Sequence, residues 1–472
     1  MQSDNNKIEI DIESLSSEGK GVSRYRKGEN ICKVEIAGTV PGDHVLVQLG
    51  KRRRSSYKGY LETVLKSSTK RVQPECVHVP ICGGCTLQQM AYEEQLKWKQ
   101  KNIEMFFASY VQEGAILHPI LACSEPMRYR NKMEFSFSQN KEGEQFLGLM
   151  MGGGRGKVLS LSQCLISPTW FETILLGVKN WWKESSLQAY HHAKDLGSLR
   201  TLTFREGRRT KDKMIILTVS GNPEFALKKD QIDGFVKTVL SFFSEDEKKR
   251  VSIFLRVQQI QKGSPTQFFE WNVHGPDHIQ EILEFPKGKN LQFKISPSSF
   301  FQPNTIQAER LYAKALDMLS PYSIKTALDL YCGTGTIALV LSRVATSVIG
   351  IEINPYAIFD AESNCSFNNI SGVNFFCGDV GKVLEKRRQE TNNSKIDLVA
   401  VDPPRSGLDE KAIAEIVTIS PTLVLYISCN PKTQAENISQ LKNAGYFLEQ
   451  IQPVDQFPNT AHVENIALLK KV

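Results

Sequence analysis

Apolar and polar residues alternate near the start of the chain in a pattern that predicts short β-strands. Lys7–Ile12 places apolar side chains at every second position, which is typical of a strand with one buried face. Further strand-like stretches cover residues 34–40 and 44–49. Short strands at this spacing predict a small antiparallel β-barrel over residues 1–66, an architecture that commonly binds nucleic acid.

The pattern changes near residue 300, where stretches of helical period begin to alternate with short, continuously apolar stretches. A helix is predicted over 307–319 and strands over 326–330, 348–353, 396–401 and 422–427. Continuous apolar stretches between helices are typical of parallel strands buried on both faces. The C-terminal region is therefore predicted to be a doubly wound, Rossmann-like α/β domain.

The region between these two parts mixes short predicted strands with helices, including a helix from Tyr92 to Phe107. We therefore divide the chain into a barrel over 1–66, a central α+β domain over 67–299 and an α/β domain over 300–472. At 472 residues the chain is long enough for two or three such domains.

Composition narrows the functional classes. Hydrophobic residues make up 41% and charged residues 23% of the chain, which is typical of folded globular proteins. The sequence has neither an apolar stretch long enough to span a membrane nor the apolar core of a signal peptide. We therefore expect a cytoplasmic protein, monomeric and without a membrane partner.

Positive charge is concentrated at the N-terminus. The net charge is +7, and residues 1–72 hold 14 Lys or Arg against 9 Asp or Glu. This surplus includes the basic run at 51–54, which favours a polyanionic partner such as nucleic acid, although most short charge runs are solvated surface. Arg52 and Arg53 are the candidate RNA contacts in this run.

A glycine-rich loop follows the first predicted strand of the α/β domain. Gly333, Gly335 and Ala338 fit the pattern G-x-G-x-x-A, in which small residues let a ligand approach the backbone. Glu352 closes the next strand, where a carboxylate can accept hydrogen bonds from ribose hydroxyls. Asp379, after the third strand, suits an adenine or caps a helix. Dinucleotides and S-adenosylmethionine both fit this geometry. Asp329, just before the loop, and the motifs that follow favour the methyl donor.

Two further strands end in residues suited to chemistry. Asp402 follows a buried strand and precedes Pro403 and Pro404, whose fixed φ angles stiffen the loop. Arg405 occupies the position that is usually aromatic in enzymes that methylate exocyclic amines. Cys429 closes the next strand, within Ser-Cys-Asn-Pro, and therefore lies on the same sheet edge as Asp402.

A cysteine at this edge suits methylation of a pyrimidine carbon. Carbon 5 of uracil becomes nucleophilic when a thiolate adds to carbon 6, which is an instance of covalent catalysis. A base must then remove the proton from carbon 5. Glu464, in the segment His-Val-Glu, supplies a carboxylate. Taken singly, Cys429 is a common core residue and Glu464 a common surface acid.

Residues 296–304 join aromatic and amide side chains at the start of the α/β domain. Gln302 could bind the donor or the base, and a phenylalanine could stack on the base. A packed Phe pair beside a capping loop is the alternative.

Three cysteines fall within ten residues, at Cys76, Cys82 and Cys85, and Cys164 is the best candidate for a fourth ligand. Zinc and a [4Fe–4S] cluster both accept four thiolates, and the absence of paired C-x2-C spacing favours the cluster. The other cysteines outside the active site are expected to be packing residues: Cys32, Cys123, Cys332, Cys365 and Cys377.

These motifs occur in the order β-barrel, C-x5-C-x2-C with a distant Cys, S-x-x-x-F-x-Q-x-N, D-x-x-C-G-x-G, D-P-P-R-x-G, S-C-N-P and H-V-E. In this order they resemble the RNA 5-methyluridine (uracil-C5) methyltransferase family over nearly the whole chain. The resemblance is strongest to the branch with an N-terminal TRAM domain and an iron–sulfur cluster, which acts on 23S ribosomal RNA.

The resemblance implies an enzyme that transfers a one-carbon group, with Cys429 as the nucleophile and Glu464 as the base. It implies that Phe300 lies near the target base, and that residues 92–121 pack on the catalytic domain. The methyl-donor positions that it implies are Gln302, Tyr331, Thr336, Glu352, Asp379 and Asp402. The ligands that it implies for a structural [4Fe–4S] cluster are Cys76, Cys82, Cys85 and Cys164.

The expected function is S-adenosylmethionine-dependent methylation of carbon 5 of a uridine in RNA, with ribosomal RNA favoured over transfer RNA. Methylation of a transfer-RNA uridine is one alternative. Methylation of cytosine carbon 5 in RNA is another, but it usually uses a Pro-Cys motif, and Arg405 follows the prolines here. A non-catalytic iron–sulfur module that binds RNA is the alternative from a different class.

Overall fold

The structure is a computed structural model that describes residues 6–28, 30–53, 56–152, 156–260, 263–390 and 395–472. Its first strands are β1 (Lys7–Asp11), β2 (Ser14–Leu15), β3 (Gly21–Lys27), β4 (Asn30–Ile36), β5 (His44–Arg53) and β6 (Ser56–Lys66). They form one sheet in the order β1-β5-β6-β4-β3-β2. The two edge strands are successive pieces of one segment, so the chain itself connects the edges. One cluster of apolar side chains, including Val34, Ile36, Val45 and Val47, is buried against this sheet.

The segment after the N-terminal sheet packs on the C-terminal part of the molecule. It contains α1 (Tyr92–Gln112) and β7 (Ile116–Leu117). The buried side of α1 carries Ile103, Phe107 and Tyr110, which join the same apolar cluster as the strands of the C-terminal sheet. Strand β7 adds to the edge of that sheet.

A second sheet occupies the middle of the chain. Its strands are β8 (Lys132–Gln139), β9 (Gln145–Met150), β10 (Val158–Ser160), β11 (Leu199–Glu206), β12 (Lys213–Ser220), β13 (Val251–Gln259) and β14 (Gln267–His274). The accompanying helices are α2 (Thr169–Glu184), α3 (Lys229–Leu240) and the short α4 (Glu245–Lys248), with a 3-10 turn at Pro223–Phe225. The order β10-β9-β8-β11-β12-β13-β14 leaves β14 at an edge. Helices α2 and α3 cover one face with an aromatic core that includes Phe171, Trp182 and Phe235.

A hairpin then leads into the C-terminal sheet. Its strands are β15 (Ile279–Leu283) and β16 (Leu291–Ile295), and their apolar residues join the cluster built around the first helix of the C-terminal region. Met214, Ile216 and Phe254 of the central sheet join the same cluster. The sheet face opposite α2 and α3 is therefore covered, at these residues, by the C-terminal part of the molecule.

The C-terminal helices are α5 (Thr305–Leu319), α6 (Thr336–Leu341), α7 (Pro355–Phe367), α8 (Val380–Glu390), α9 (Glu410–Ile419) and α10 (Pro431–Asn443). The strands are β17 (Ile324–Leu330), β18 (Ala345–Glu352), β19 (Val373–Cys377), β20 (Leu398–Val401), β21 (Leu423–Ser428), β22 (Tyr446–Val454) and β23 (Glu464–Lys471). The sheet order is β19-β18-β17-β20-β21-β23-β22-β7, and the strands β17 to β21 are parallel. The predicted Rossmann-like domain is confirmed, and its parallel strands end at one edge.

Among the described residues, no helix has both the length and the apolar character that crossing a membrane requires.

Candidate active site

The glycine-rich loop joins β17 to α6 in a backbone conformation that explains its sequence. Gly335 has a φ of 79°, and a Cβ there would come within 2.8 Å of the Phe375 ring. Gly333 has a φ of 51°, but a Cβ there would face open space. Tyr331 also has a positive φ, of 66°, which is uncommon for a bulky residue and is typical of functional sites. Gly335 therefore leaves room for the Phe375 ring, whereas the backbone at Gly333 faces open space.

Glu352 and Asp379 follow the two strands next to this loop. Glu352 accepts hydrogen bonds from Gly333 N at 3.2 Å and Asn354 N at 2.9 Å, one on each carboxylate oxygen. Each oxygen keeps a lone pair for a ribose hydroxyl. Asp379 accepts from Lys411 Nζ at 2.8 and 3.0 Å, and this hydrogen bond lowers the Asp379 pKa. Thr336 begins α6, with its hydroxyl 3.4 Å from that of Thr334.

A buried carboxyl lies beneath the loop. Asp329 is 1% exposed, and its Oδ2 has no hydrogen-bond partner among the described residues. Burial raises the Asp329 pKa well above its usual range, and the charges of Asp402 and Glu352 raise it further. An unpartnered buried carboxyl beside an open loop fits a cationic ligand, and S-adenosylmethionine carries both a sulfonium and an ammonium group. Sequence reasoning used Asp329 to favour the methyl donor but did not indicate that its side chain is buried without a partner.

Cys429 lies between the end of β21 and the first turn of α10. Its side chain is half-buried, and burial raises the thiol pKa to about 11, with a smaller contribution from the charges of Glu464 and Asp402. Arg405 opposes this shift through its charge and a hydrogen bond to the thiol. The N-terminal end of α10 also favours an anion at this position. The three loops that carry Asp402, Cys429 and Glu464 are therefore brought together.

Arg405 connects these loops. Its guanidinium donates a hydrogen bond to His462 Nε2 at 3.2 Å, and its backbone carbonyl accepts one from the Asn430 side chain at 2.9 Å. Burial, and to a smaller extent the charge of Arg405, lower the His462 pKa to about 4, so the imidazole is neutral. The sequence pattern used Arg405 to argue against amine methylation and against cytosine-C5 methylation, and it did not indicate the contact of Arg405 with the cysteine.

The two acids at the site are both buried, and the pKa of each is raised. Glu464 begins β23 and is 2% exposed; burial raises its pKa well above the usual range, and the charge of Asp402 raises it further. Burial raises the Asp402 pKa to about 7. Tyr312, which is buried on α5, lies within the field of both acids and hydrogen-bonds Gln302. Sequence reasoning did not find Tyr312, because only the fold brings α5 next to β20 and β23.

The segment 296–304 lies beside this group. Gln302 is 6% exposed, and its Oε1 accepts a hydrogen bond from Gln456 Nε2 at 3.3 Å. Phe300 is 64% exposed, and its carbonyl accepts a hydrogen bond from the Thr334 hydroxyl in the donor loop at 3.4 Å. An exposed aromatic ring next to the donor loop is placed to contact a base.

The four clustered cysteines influence one another. Burial, and to a smaller extent the charges of Cys164, Cys82 and Cys76, raise the Cys85 pKa to about 12. Cys82 Sγ accepts a hydrogen bond from Gly84 N at 3.4 Å. In the described ranges, however, no three His, Cys, Asp or Glu side chains are grouped closely enough to hold one metal ion.

The remaining predicted residues have mixed outcomes. Four of the five cysteines that were expected to be packing residues are buried, but Cys377 is exposed at the end of β19, so that expectation was wrong for Cys377. Arg52 is exposed on β5 in the N-terminal sheet, on a different sheet from the active-site residues. The side chain of Arg53 lies outside the described residues, as does all of Arg54.

Comparison with known proteins identifies relatives. The family model described as tRNA (Uracil-5-)-methyltransferase matches residues 252–472. An uncharacterized RNA methyltransferase of Protochlamydia amoebophila is 47% identical over 441 residues, covering 92% of this chain and 99% of that protein. Another, from Clostridium acetobutylicum, is 33% identical over 468 residues, covering 98% and 96%.

A solved structure supports the fold. The crystal structure of Pyrococcus abyssi tRNA (uracil-54, C5)-methyltransferase, in complex with S-adenosyl-L-homocysteine, superposes with a TM-score of 0.71. It is 24% identical to this chain and covers 99% of this chain and 100% of that one.

Proposed function

The chain belongs to the RNA uracil-5 methyltransferase family and is a transferase that uses S-adenosylmethionine, and from this premise we propose that it methylates uridine through a covalent bond between Cys429 and carbon 6 of the base. The observation that carries this proposal is the convergence of Cys429, Arg405, Asp402 and Glu464 beside the donor loop. A nucleophile, a cation and a base are the three groups that the reaction requires.

Each residue has one task in this reaction. Cys429 loses its proton to water and adds to carbon 6, which moves an electron pair onto the carbonyl oxygen at carbon 4. When bound, S-adenosylmethionine supplies an electrophilic methyl group for carbon 5. Glu464 removes the proton from carbon 5 and passes it to solvent, and the bond from carbon 6 to sulfur then breaks. Arg405 stabilises the thiolate before attack and after release.

The raised pKa values predict how the rate depends on pH. Both the thiol, with a pKa of about 11, and the Glu464 carboxyl, whose pKa is raised, react only in their ionised forms. We therefore expect kcat/KM for RNA to rise continuously from pH 6 to pH 9. The binding of S-adenosylhomocysteine over the same range is the control. A plateau already reached below pH 7 would show that the thiolate is present in the free enzyme and would contradict this prediction.

We propose 23S ribosomal RNA as the substrate. Support comes from two features that resemble the branch of the family that acts on 23S ribosomal RNA. One is the set of four cysteines. The other is the N-terminal sheet, whose edges are connected by the chain as in a TRAM-like barrel and which carries Arg52 on β5. A transfer RNA is the second candidate, because the matching family description and the Pyrococcus abyssi enzyme both name tRNA.

An experiment on the natural RNAs tests both candidates. Ribosomal and transfer RNAs from strains with and without the gene are digested and mapped by mass spectrometry for 5-methyluridine. The RNA that lacks the modification is then transcribed with tritium at carbon 5 of uridine and incubated with enzyme and donor. We expect one lost modification in 23S RNA and release of one tritium per methyl group. Loss of the modification from a transfer RNA instead would overturn the ribosomal assignment.

We also propose that Cys76, Cys82, Cys85 and Cys164 bind a [4Fe–4S] cluster with a structural role. Support comes from four thiols that lie in one region, where the charges of Cys164, Cys82 and Cys76 act on Cys85. In such a cluster each of the four thiolates binds a different iron.

The cluster proposal predicts the metal content of two variants. After anaerobic purification, we expect about four iron and four sulfide per wild-type chain. Cys164→Ala is expected to lose most of both, because it removes one of four ligands. Cys377→Ala, which changes an exposed cysteine outside the set, is the control and should keep them. Stoichiometric zinc in place of iron in the wild type would contradict the proposal.

A further inference from the structure

The loop that leads to Glu464 is largely buried, although most loops lie on the surface of a protein. It covers residues 455–463, between β22 and β23, and most of these residues are buried. The main-chain groups of a buried loop need hydrogen-bond partners inside the protein. Several partners come from a part of the chain more than 300 residues earlier, and one is the Tyr129 hydroxyl, which donates to Pro458 O at 3.1 Å.

Asn459, in the middle of this loop, is buried and uses both its main chain and its side chain for such contacts. Its N–H donates to Gln95 Oε1 at 3.1 Å, and its Oδ1 accepts a hydrogen bond from Gln95 Nε2 at 3.2 Å. Its carbonyl accepts hydrogen bonds from Thr86 N at 3.0 Å and Leu87 N at 3.1 Å. Its Nδ2 donates to Pro126 O at 2.9 Å. All of these partners lie outside the α/β domain.

The backbone of Asn459 sets the direction of the chain through a turn. Its φ of 65° lies in the left-handed region, which asparagine adopts more readily than most other residues with a side chain. The turn continues to His462, whose N–H donates to Thr460 Oγ1 at 3.2 Å, and the Thr460 hydroxyl donates to Phe457 O at 2.8 Å. The rings of Phe457 and His462 pack edge to face, with 6.3 Å between their centres. Asn459 and His462 therefore belong to one fixed turn.

His462 connects this turn to the nucleophile. Its Nε2 accepts a hydrogen bond from the Arg405 guanidinium, which also hydrogen-bonds the Cys429 thiol. The charged groups that act on this thiol are Glu464, Asp402 and Arg405, and of these three only Arg405 lowers its pKa. A displaced His462 would therefore leave the guanidinium free to move away from the thiol.

We infer that Asn459 is a positioning residue for the reaction, because it fixes the turn that carries His462. His462 then holds the Arg405 guanidinium against the Cys429 thiol. The inference rests on the proposed function, because that function makes Cys429 the nucleophile. It adds that a part of the chain outside the catalytic domain controls the reactivity of the thiol, through its hydrogen bonds to Asn459.

The reactivity of Cys429 towards iodoacetamide tests this inference. Full-length enzyme is alkylated briefly at several values from about pH 7.5 to about pH 9.5, and the digested peptide that contains Cys429 is quantified by mass spectrometry. Only the thiolate reacts, so the rate below the pKa measures the thiolate fraction. Loss of a neighbouring cation raises the pKa of a thiol by about one unit or more. Asn459→Ala should therefore slow alkylation of Cys429 about 10-fold at each pH.

Two controls accompany this measurement. Cys377, exposed at the end of β19, is present in the same samples and should react at the wild-type rate in every variant. Asn369→Ala is the matched control variant, because Asn369 is exposed and also has a left-handed backbone, with a φ of 53°. It should leave the alkylation of Cys429 unchanged. Unfolding would expose Cys429 and speed its alkylation, so a slower rate cannot result from a loss of structure.

A second variant tests whether His462 transmits the effect. His462→Ala should slow the alkylation of Cys429 by about the same factor as Asn459→Ala. The double variant should be no slower than His462→Ala alone, because both changes release the same guanidinium. If the two effects multiplied, Asn459 would act by another route and the inference would be wrong.

The outcomes separate this inference from the proposed function. Equal or faster alkylation of Cys429 in Asn459→Ala overturns the inference, and tritium release by the wild type then still supports the proposed function. Alkylation that is slower at Cys429 but not at Cys377 supports the positioning role of Asn459, even if the wild type releases no tritium from any RNA and the proposed function fails.

Discussion

Cys429→Ala should reduce methyl transfer about 10,000-fold or more, because it removes the atom that makes carbon 5 reactive. The side chain is half-buried and small, so the fold and the RNA affinity should remain close to those of the wild type. Methyl transfer is measured with labelled donor, and RNA affinity by filter binding. Cys377→Ala, which changes an exposed cysteine at the end of β19, is the control for loss of a thiol.

Covalent attachment can be observed directly. RNA that contains 5-fluorouridine can accept the thiol and the methyl group, but fluorine cannot leave as a cation, so the adduct persists. The wild type is expected to form a complex with this RNA that survives denaturing electrophoresis, and Cys429→Ala should form none. Glu464→Gln should accumulate an adduct even on ordinary RNA, because proton removal from carbon 5 is blocked. A stable complex with Cys429→Ala would assign the nucleophile elsewhere.

The C-terminal fold could be predicted because its signals are local. Continuously apolar strands, helical periods and the glycine-rich loop predicted β17, β18, β20 and β21 to within a few residues. The N-terminal sheet was harder. The predicted strand at 34–40 is in fact β4 at Asn30–Ile36, and β3 was missed because charged residues interrupt its alternation. Burial of alternate residues in a sheet this small is incomplete, so the period of two is weak.

The active site was only partly predictable, for a physical reason. Cys429, Glu464 and Asp402 follow strands, and the rule for the carboxyl edge of parallel sheets places such residues together. Tyr312 lies near Asp402 because of how α5 packs across the sheet, and Asp329 lies near it because β17 pairs with β20. No local pattern encodes that packing.

The position of α1 illustrates the same limit, although its sequence did contain a signal. The helix was predicted to end at Phe107 but continues to Gln112. Its buried residues include Gln95 and Lys99 as well as apolar side chains, which weakens the contrast between its two faces. A lysine among the buried residues of a helix predicts a carboxylate partner in another part of the chain. The partner of Lys99 is Asp455, which is more than 350 residues away in sequence.

Lys99→Met should lower the free energy of unfolding by about 3–5 kcal/mol, because it leaves a buried carboxylate without its partner. Lys99 and Asp455 are both fully buried, and Lys99 Nζ lies 2.5 Å from Asp455 Oδ1. Asp455 Oδ2 also accepts a hydrogen bond from the Tyr92 hydroxyl at 2.7 Å. Burial lowers the Lys99 pKa, and the charge of Asp455 opposes that shift. Urea unfolding followed by circular dichroism measures the change.

The matched control lies on the same helix. Lys97→Met removes an exposed lysine that pairs with Glu94, and the unfolding midpoint should not move. The double variant Lys99→Met with Asp455→Asn should recover part of the loss, because no charge then remains buried. If Lys99→Met alone were as stable as Lys97→Met, the pair would contribute nothing. α1 would then be held to the sheet by its apolar contacts and by the hydrogen bond from Gln95 to Asn459.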